Sequence, residues 1–137
     1  MIPYHTHVSK LAGTRSYKDI YRNALAVYSQ VKRKTKRQPY ARSAYFNKQK
    51  IFFTFFWKHL FDYSHKVRIE RLKYFEATLD LIKNSKNAPE SKDNPNNIDE
   101  ILHRFAGLTK EKELFMVQIK ENKRTGKKFL MSIFPFK

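Results

Sequence analysis

The sequence predicts an α+β fold, with N-terminal helices packed on a C-terminal antiparallel β-sheet. Apolar residues recur at helical spacing within residues 17–84, whereas apolar and polar residues alternate within residues 101–137. A chain of 137 residues has the length of one domain, so one compact domain is expected. Hydrophobic residues make up 41% of the chain and aromatic residues 15%, a composition that supports a packed core and excludes a disordered chain.

A first helix is predicted from Tyr17, because the hydroxyl of Ser16 can cap its N-terminus. Its apolar stripe consists of Ile20, Ala24, Val27 and Val31. We expect the helix to run into the basic residues 32–37 and to end before Pro39, since the residue preceding a proline disfavours helical geometry.

The middle of the chain, residues 51–98, divides into three predicted segments. Residues 51–63 are interpreted as a buried helix, with a strand as the alternative for so short an apolar run. Ser64 is the expected cap of a helix over about residues 66–84. The apolar stripe of that helix is Leu72, Phe75, Leu79 and Ile82. Residues 85–98 are rich in Ser, Asn and Pro and are predicted to form a loop.

Three strands are predicted at residues 101–108, 114–121 and 128–134, with a hairpin turn at 122–126 in which Gly126 supplies a positive φ. In the second strand, alternation sets the apolar Phe115, Val117 and Ile119 against Gln118 and Lys120. In the third, it places Phe129, Met131 and Ile133 on one face, and Leu130, Ser132 and Phe134 on the other.

The charge of the chain indicates a polyanionic partner. Lys and Arg number 29 against 12 Asp and Glu, a net charge of +17. The net charge is +11 in residues 1–50, zero in residues 51–100 and +6 in residues 101–137. The basic surface is therefore expected at the two ends of the chain, and the middle is expected to form the core.

Several classes of protein are excluded by what the sequence lacks. It has no cysteine, which rules out a disulfide scaffold and a thiol nucleophile and fits a reducing compartment. Residues 1–15 have no apolar signal-like stretch, and the most apolar run, at 51–61, is too short to span a bilayer. We expect a cytoplasmic protein with no membrane partner.

The basic run is the strongest candidate for nucleic-acid contact, because phosphate binding needs dense Lys and Arg. The RNA-binding candidates are Lys32, Arg33, Lys34, Lys36, Arg37 and Arg42. Tyr28, Tyr40 and Tyr45 are nearby aromatic residues on which bases can stack. A solvated helix end is the alternative interpretation of the run.

Candidate catalytic residues lie in the second half of the chain. His103 and Arg104 form a polar pair within a predicted strand, just before Phe105. Ser132 lies on the last strand, where a partly exposed sheet face is its ordinary explanation. His59 follows Phe55 by one helical turn, and a satisfied core histidine is the default there.

A metal-dependent nuclease is a weaker hypothesis. Gln118 and Lys120 match the polar positions of a strand element found in restriction-type nucleases, and Asp93, Asp99 or Glu100 would have to supply the metal ligand. Carboxylates are few in the sequence, so we expect no metal and no other cofactor.

From residue 51 onward the chain resembles the phage-associated branch of the BECR nucleases, the group of barnase-like, EndoU-like, RelE-like and colicin-type RNases. The segments that carry the resemblance are 56–60 (FWKHL), 68–72 (RIERL), 85–95, 101–107 (ILHRFAG), 115–121 (FMVQIKE) and 128–135 (KFLMSIFP). Residues 1–50 lie outside it and form a basic helical extension to a nuclease core at 51–137.

The resemblance implies a helical layer on a four-stranded antiparallel sheet and metal-independent cleavage of RNA, in which the ribose 2′-OH attacks the adjacent phosphate. It also implies a phage or mobile-element origin and a toxin-like role, with an acidic antitoxin or immunity protein as a candidate partner.

These observations predict a small basic endoribonuclease, with a non-enzymatic RNA- or DNA-binding protein as the alternative. Arg104 is expected to bind phosphate charge, and His103 or His59 to transfer protons. Arg71 and Lys120 are expected to be supporting cations, and Ser132 a hydroxyl donor to the phosphate.

Overall fold

A computed structural model of the chain describes residues 1–136, which form four helices and seven strands of a mixed α+β fold. The helices are α1 (Tyr17–Arg33), α2 (Thr54–Leu60), α3 (His65–Leu72) and α4 (Phe75–Asn84). The strands are β1 (Tyr4–His5), β2 (Tyr40–Arg42), β3 (Lys50–Phe52), β4 (Glu90–Asn94), β5 (Asn97–Leu108), β6 (Leu114–Asn122) and β7 (Lys128–Pro135).

All seven strands belong to one sheet, in the order β1-β5-β6-β7-β3-β2, with β4 also paired to β5. Strands β4 to β7 follow one another as antiparallel neighbours. Two pairings are parallel, β1 with β5 and β3 with β7. Residues 1–50 thus contribute a strand to each end of the strand order, in addition to the helix predicted for them.

The predicted starts of both long helices are confirmed, and their predicted apolar stripes are confirmed except at Val27. The hydroxyl of Ser16 accepts from the Asp19 amide, and the hydroxyl of Ser64 accepts from the Val67 amide. Buried stripe residues on α1 are Ile20, Ala24, Tyr28 and Val31, so Tyr28 replaces the half-buried Val27. The second stripe is buried as predicted, at Leu72, Phe75, Leu79 and Ile82.

One local contact and two tertiary contacts accompany the places where the helices depart from prediction. Helix α1 ends at Arg33, because the Thr35 hydroxyl donates to the carbonyls of Val31 and Lys32. Residues 66–84 form two helices rather than one. At the break, the Lys73 carbonyl accepts from the Leu11 amide. The ring of Tyr74 stacks on Phe115 beside it, with 5.0 Å between ring centroids.

Residues 51–63 combine both alternatives, since Ile51 and Phe52 end the strand β3 and α2 begins at Thr54. The loop predicted at 85–98 is wrong, because the strand β4 and the start of β5 lie there. Residues 90–93 of β4 are all exposed and polar, which an outer strand tolerates. They therefore lack the alternation of apolar and polar residues by which a strand is recognised in a sequence.

The sheet has a buried inner face and a second, outer face. Phe105, Val117 and Ile133 are register partners on the inner face, together with Ile119 and Leu130. Helix α4 contacts β5, and α2 and α3 lie against β7. Phe115 packs across Gly107, where an added Cβ would lie 2.4 Å from the Phe115 ring. In residues 1–136, no helix is long and apolar enough to cross a membrane.

Strand β7 carries a β-bulge that the sequence analysis did not predict. Gln118 of β6 pairs with Ser132, whereas the next residue, Ile119, pairs with Leu130, so Met131 is the extra residue. The predicted alternation of 128–134 is therefore wrong. Leu130 and Ile133 both face the core, and Ser132 lies on the outer face opposite Gln118. The turn at 122–126 is confirmed, with Gly126 at φ 74°.

Candidate functional site

The outer face of the sheet brings together two of the predicted site residues, Arg104 and Ser132, with Gln118 between them. Arg104, Gln118 and Ser132 are consecutive register partners on β5, β6 and β7. Glu90 of β4 continues the same row beyond Arg104. We call Arg71, Arg104, Gln118 and Ser132 the phosphate cluster, after the ligand that is proposed for it below. The bulge at Met131 produces it, because in an unbulged strand Met131 would oppose Gln118 and Ser132 would face the core.

Arg71 reaches the phosphate cluster from the last turn of α3. Its Nη1 donates to the Ser132 hydroxyl and, at 2.8 Å, to the Ile133 carbonyl. That carbonyl lies where β7 has no partner strand on this side, since β3 pairs only with Lys128 and Phe129. Arg71 thus satisfies an edge carbonyl and fixes the Ser132 side chain at the same time.

Two guanidinium groups flank one aromatic ring at this cluster. The Cζ atom of Arg71 lies 5.9 Å from the Phe134 ring centroid and that of Arg104 lies 5.4 Å from it. The ring of Tyr63 lies on Arg71 as well, at 4.4 Å. Contact with the negative faces of these rings offsets part of the repulsion between the two cations.

Gln118 orients Arg104. Its Oε1 accepts from Nε and Nη2 of Arg104, at 3.3 and 3.1 Å, and its Nε2 donates to the Met131 sulfur at 3.4 Å. Arg104, Gln118 and Glu90 also line a cleft of about 330 Å³. A guanidinium held by a side-chain amide at the wall of a cleft is a suitable binding group for a phosphate oxygen.

Lys120 and His59 form a neighbouring group rather than part of the phosphate cluster. Lys120 is two residues from Gln118 on the outer face of β6, and its Nζ lies 3.7 Å from the Phe55 ring centroid and 3.7 Å from Glu100 Oε2. His59 packs on the same Phe55 ring at 4.1 Å, and its Nδ1 is 3.0 Å from Asp62 Oδ2.

His103 lies on the inner face, opposite to Arg104. Both of its ring nitrogens are engaged, Nδ1 with the Ser91 hydroxyl at 2.7 Å and Nε2 with Glu121 Oε1 at 2.8 Å. Glu121 is also 3.6 Å from the Nζ of the buried Lys128. The structure therefore places His103 in a polar network apart from the phosphate cluster, although it is adjacent to Arg104 in sequence.

The basic run is divided by the end of α1. Lys32 and Arg33 lie in its last turn, while Lys34, Lys36 and Arg37 line a separate cleft beside Tyr40. Arg42 donates to the Lys48 carbonyl at 3.0 Å and lies outside that cleft.

The three tyrosines expected to stack bases differ in their exposure. Tyr28 is buried against Trp57, with ring centroids 4.7 Å apart, and burial raises its pKa to about 12. The prediction that it stacks bases is wrong. Tyr40 is half-buried and Tyr45 is exposed.

The carboxylates considered for a metal site each contact a cation. Asp93 lies 3.0 Å from Lys123, Asp99 lies 3.5 Å from Arg124, and Glu100 lies near Lys120. Among residues 1–136, no three His, Asp or Glu side chains gather in a way that could hold a metal ion.

Sequence reasoning missed the aromatic residues and Glu90 at this site. Phe134 lies on β7, beyond the bulge, and Tyr63 lies just before α3. Glu90 lies on β4, a strand that was not predicted. Glu90 could have been identified only from its pairing with Arg104, and that pairing could be predicted only if residues 90–94 had been recognised as a strand.

Comparisons with protein-family models, with curated proteins and with solved structures found no match to this chain.

Proposed function

We propose that the chain is a metal-independent endoribonuclease whose phosphate site is the cluster of Arg71, Arg104, Gln118 and Ser132. One observation carries the proposal: two guanidinium groups and a hydroxyl converge on one side of the sheet, around the Phe134 ring. The resemblance to BECR nucleases that the sequence carries also supports it, and a mixed α+β fold in which α2 and α3 contact β7 is compatible with that resemblance.

In the proposed reaction, the ribose 2′-oxygen forms a bond to the adjacent phosphorus while the bond to the 5′-oxygen breaks. The products are a 2′,3′-cyclic phosphate and a 5′-hydroxyl. The 2′-hydroxyl proton passes to a base, and the leaving 5′-oxygen takes a proton from water. Glu90, the register partner of Arg104, is the carboxylate that lines the same cleft and is our candidate for that base.

The other groups act on the phosphorane charge. The guanidinium groups of Arg71 and Arg104 present planar donors that match two phosphate oxygens. The Ser132 hydroxyl accepts from Arg71, so its own proton remains available to donate to a phosphate oxygen. These donors are fixed before RNA binds, which is what electrostatic stabilisation of a transition state requires.

A second function, RNA binding without cleavage, is favoured by the position of the histidines. His103 lies on the opposite face of the sheet, and His59 contacts Phe55 and Asp62. If neither they nor Glu90 transfers a proton, the same cluster would bind a phosphodiester and leave it intact.

Incubation of labelled RNA with the purified chain in excess EDTA distinguishes the two. We expect shorter RNA with 2′,3′-cyclic phosphate ends, no cleavage of 2′-O-methyl RNA, and a rate about 10²- to 10³-fold lower for folded Arg104→Ala. Glu90→Gln and His59→Gln then identify the base.

RNA that is retarded on a gel but never shortened would establish the binding function instead. Activity that disappears in EDTA and returns with Mg²⁺ would overturn the metal-independent mechanism and favour the hypothesis based on Gln118 and Lys120.

A further inference from the structure

A cleft of about 690 Å³ lies beside the basic loop that follows α1, away from the phosphate cluster. Its cationic lining residues come from three separate segments: Lys34, Lys36, Arg37, Lys50 and Lys127. None of the eight residues that line it is acidic. Five cations without a carboxylate between them repel one another, so a bound polyanion would stabilise this part of the molecule.

Aromatic rings form the other part of the lining. Tyr40 and Phe52 are register partners on β2 and β3, with ring centroids 6.0 Å apart, and both line the cleft. Phe129, on the next strand, lies 6.0 Å from Phe52. All three are half-buried, so the strands hold the rings in place while part of each stays accessible. Successive rings on neighbouring strands suit successive bases, since every base has a face that can stack.

Each ring that lines the cleft is accompanied by a lysine. The Nζ of Lys50 lies 4.7 Å from the Tyr40 ring centroid, and that of Lys127 lies 5.1 Å from the Phe52 ring centroid. The lysine side chain is flexible, so when a base stacks on the ring the ammonium can move from the ring to a neighbouring phosphate. Rings paired with cations match a strand in which unpaired bases alternate with phosphates.

We propose that this cleft binds single-stranded RNA, with unpaired bases on Tyr40 and Phe52 and phosphates on the five cations. A duplex keeps its base faces within its own stack, and an acidic protein needs no row of rings. The inference rests on the proposed function only in taking RNA as the polyanion. Lys50, Lys127, Phe52 and Phe129 were not among the residues that the sequence analysis assigned to RNA.

The position of the cleft connects it to the phosphate cluster. A second cleft, of about 310 Å³, shares Gln38 with the first and is lined by Phe129, Phe55 and Lys120. Lys120 is two residues from Gln118 on the outer face of β6. A strand bound over Tyr40 and Phe52 could therefore continue over Phe129 and Lys120 to the phosphate cluster.

The test measures binding without cleavage. A fluorescent 2′-O-methyl RNA of unstructured sequence, alone or annealed to its complement, is titrated with the chain at several salt concentrations and followed by anisotropy. This RNA has no 2′-hydroxyl nucleophile, so binding is measured whether or not the chain is a nuclease. Failure of the cleavage assay would thus leave this result unaffected.

We expect Tyr40→Leu and Phe52→Leu each to weaken single-strand binding about fivefold or more and to leave duplex binding unchanged. Lys50→Gln with Lys127→Gln should flatten the slope of log K against log salt by about 1.4, or 0.7 for each lost contact. Lys110→Gln with Lys112→Gln is the matched control, because it removes the same charge. These two lysines lie in the turn before β6, whereas Lys127 lies in the turn after β6, at the other end of the strand. Thermal unfolding of each variant verifies its fold, and Tyr40→Leu on the outermost strand β2 suffices if Phe52→Leu does not fold.

Three results would overturn the proposal. Ring variants that bind the single strand as the wild type does would show that no base stacks there. Equal losses for single strand and duplex, or an equal change of salt slope in the control, would indicate a general attraction for polyanions, including acidic proteins.

Discussion

Arg71 serves the fold and the proposed phosphate site with the same guanidinium group. Its Nη1 satisfies the Ile133 carbonyl, which no neighbouring strand reaches, and it also holds the Ser132 hydroxyl. Under the proposed function, substitution of Arg71 is therefore expected to lower stability and activity together, and a control is needed to separate the two effects.

We expect Arg71→Ala to lower the rate of RNA cleavage per folded molecule about 10²- to 10³-fold, because an electrostatic donor to the phosphorane is lost. The free energy of unfolding should fall by about 1–3 kcal/mol, because the Ile133 carbonyl loses its partner. Cleavage kinetics and urea unfolding measure the two quantities. Arg71→Lys should recover only part of the rate, since the planar pair of donors is gone.

The matched control is Arg68→Ala, one turn earlier on α3. Arg68 also donates to two main-chain carbonyls, those of Tyr63 and Phe61, but these hydrogen bonds do not involve the phosphate cluster. It should lose comparable stability and keep its rate within a few-fold. Equal rate losses in both variants would show that Arg71 acts only through the fold.

For His103, in contrast to Arg71, we expect substitution to lower stability and to leave the cleavage rate nearly unchanged. Its ring is buried, and its two bonds join Ser91 of β4 to Glu121 of β6 across β5. We expect His103→Ala to lower the free energy of unfolding by about 1–3 kcal/mol, because Glu121 and Ser91 lose a partner. The cleavage rate per folded molecule, measured alongside, should stay close to that of the wild type.

A folded His103→Ala variant with its cleavage rate lowered by a hundredfold or more would contradict this. It would support the sequence-based expectation that His103 transfers a proton. His59→Ala, on the outer-face side of the sheet, is the comparison to make in the same assay.

Among the elements, β7 contributes most to the candidate site. Its one-residue bulge lets Leu130 and Ile133 both face the core while Ser132 faces outward opposite Gln118. The same extra residue, Met131, accepts a hydrogen bond from Gln118, which in turn binds Arg104. The bulge thus sets the position of one donor and supports the orientation of another.

Deleting Met131 should leave a regular strand, because Ser132 would still oppose Gln118 and Ile133 would still oppose Val117. We expect an intact fold by circular dichroism and cooperative unfolding. Cleavage should be at least about tenfold slower, since the local twist that a bulge adds is lost and the donors move relative to one another.

Met131→Ala is the control for the deletion, because it keeps the bulge and removes only the sulfur contact. It should retain more activity than the deletion. If the deletion cleaves RNA as fast as the wild type, the bulge has no role in catalysis.

Local chemistry explains which elements could be predicted from the sequence. Ser16 and Ser64 act within one helical turn, so their caps could be identified from the residues alone. The break between α3 and α4 depends on Leu11 and Phe115, which are distant in sequence. Strand β4 has an exposed, polar sequence, and its pairing to β5 gives no alternating pattern.

The candidate site shows the same division. Arg104 and Ser132 were candidates from the sequence and lie on one face of the sheet, but the alternation used for β7 was wrong at Met131. Gln118, Phe134 and Glu90 join them through strand register and a bulge. Such contacts are set by pairing between distant segments, which a single sequence does not reveal.

At the scale of the whole molecule, two carboxylates fasten the N-terminal segment to the rest of the chain. Asp80 of α4 accepts from the His7 amide at 2.6 Å and from the Tyr4 hydroxyl at 3.0 Å. Glu113 lies 2.7 Å from the Lys10 ammonium and accepts from the Tyr74 hydroxyl at 3.0 Å. Both contacts oppose the self-repulsion that a net charge of +17 creates.

These contacts predict a loss of stability in acid. Burial by itself raises the pKa of Asp80 and of Glu113. The bonds from His7, Asn84 and Tyr4 to Asp80, and from Lys10 and Tyr74 to Glu113, outweigh it and hold both pKa values below their ordinary range. A carboxyl whose pKa is lowered by folding contributes stability above its unfolded pKa, about 4, and loses that contribution as the pH falls through its folded value. We therefore expect the free energy of unfolding, from urea titrations, to be nearly constant from about pH 8 to 5 and to fall below about pH 4.

Asp80→Asn should be less stable than the wild type at pH 7 and should lose less stability between pH 5 and pH 3, since one titrating contact has been removed. Asp62→Asn is the control, because that carboxylate is exposed and pairs with the His59 ring, away from the N-terminal segment. It should follow the wild-type profile. An Asp80→Asn profile parallel to that of the wild type would contradict this prediction. It would show that stability is lost in acid through charge repulsion over the whole basic surface, and not through the attachment of the N-terminal segment.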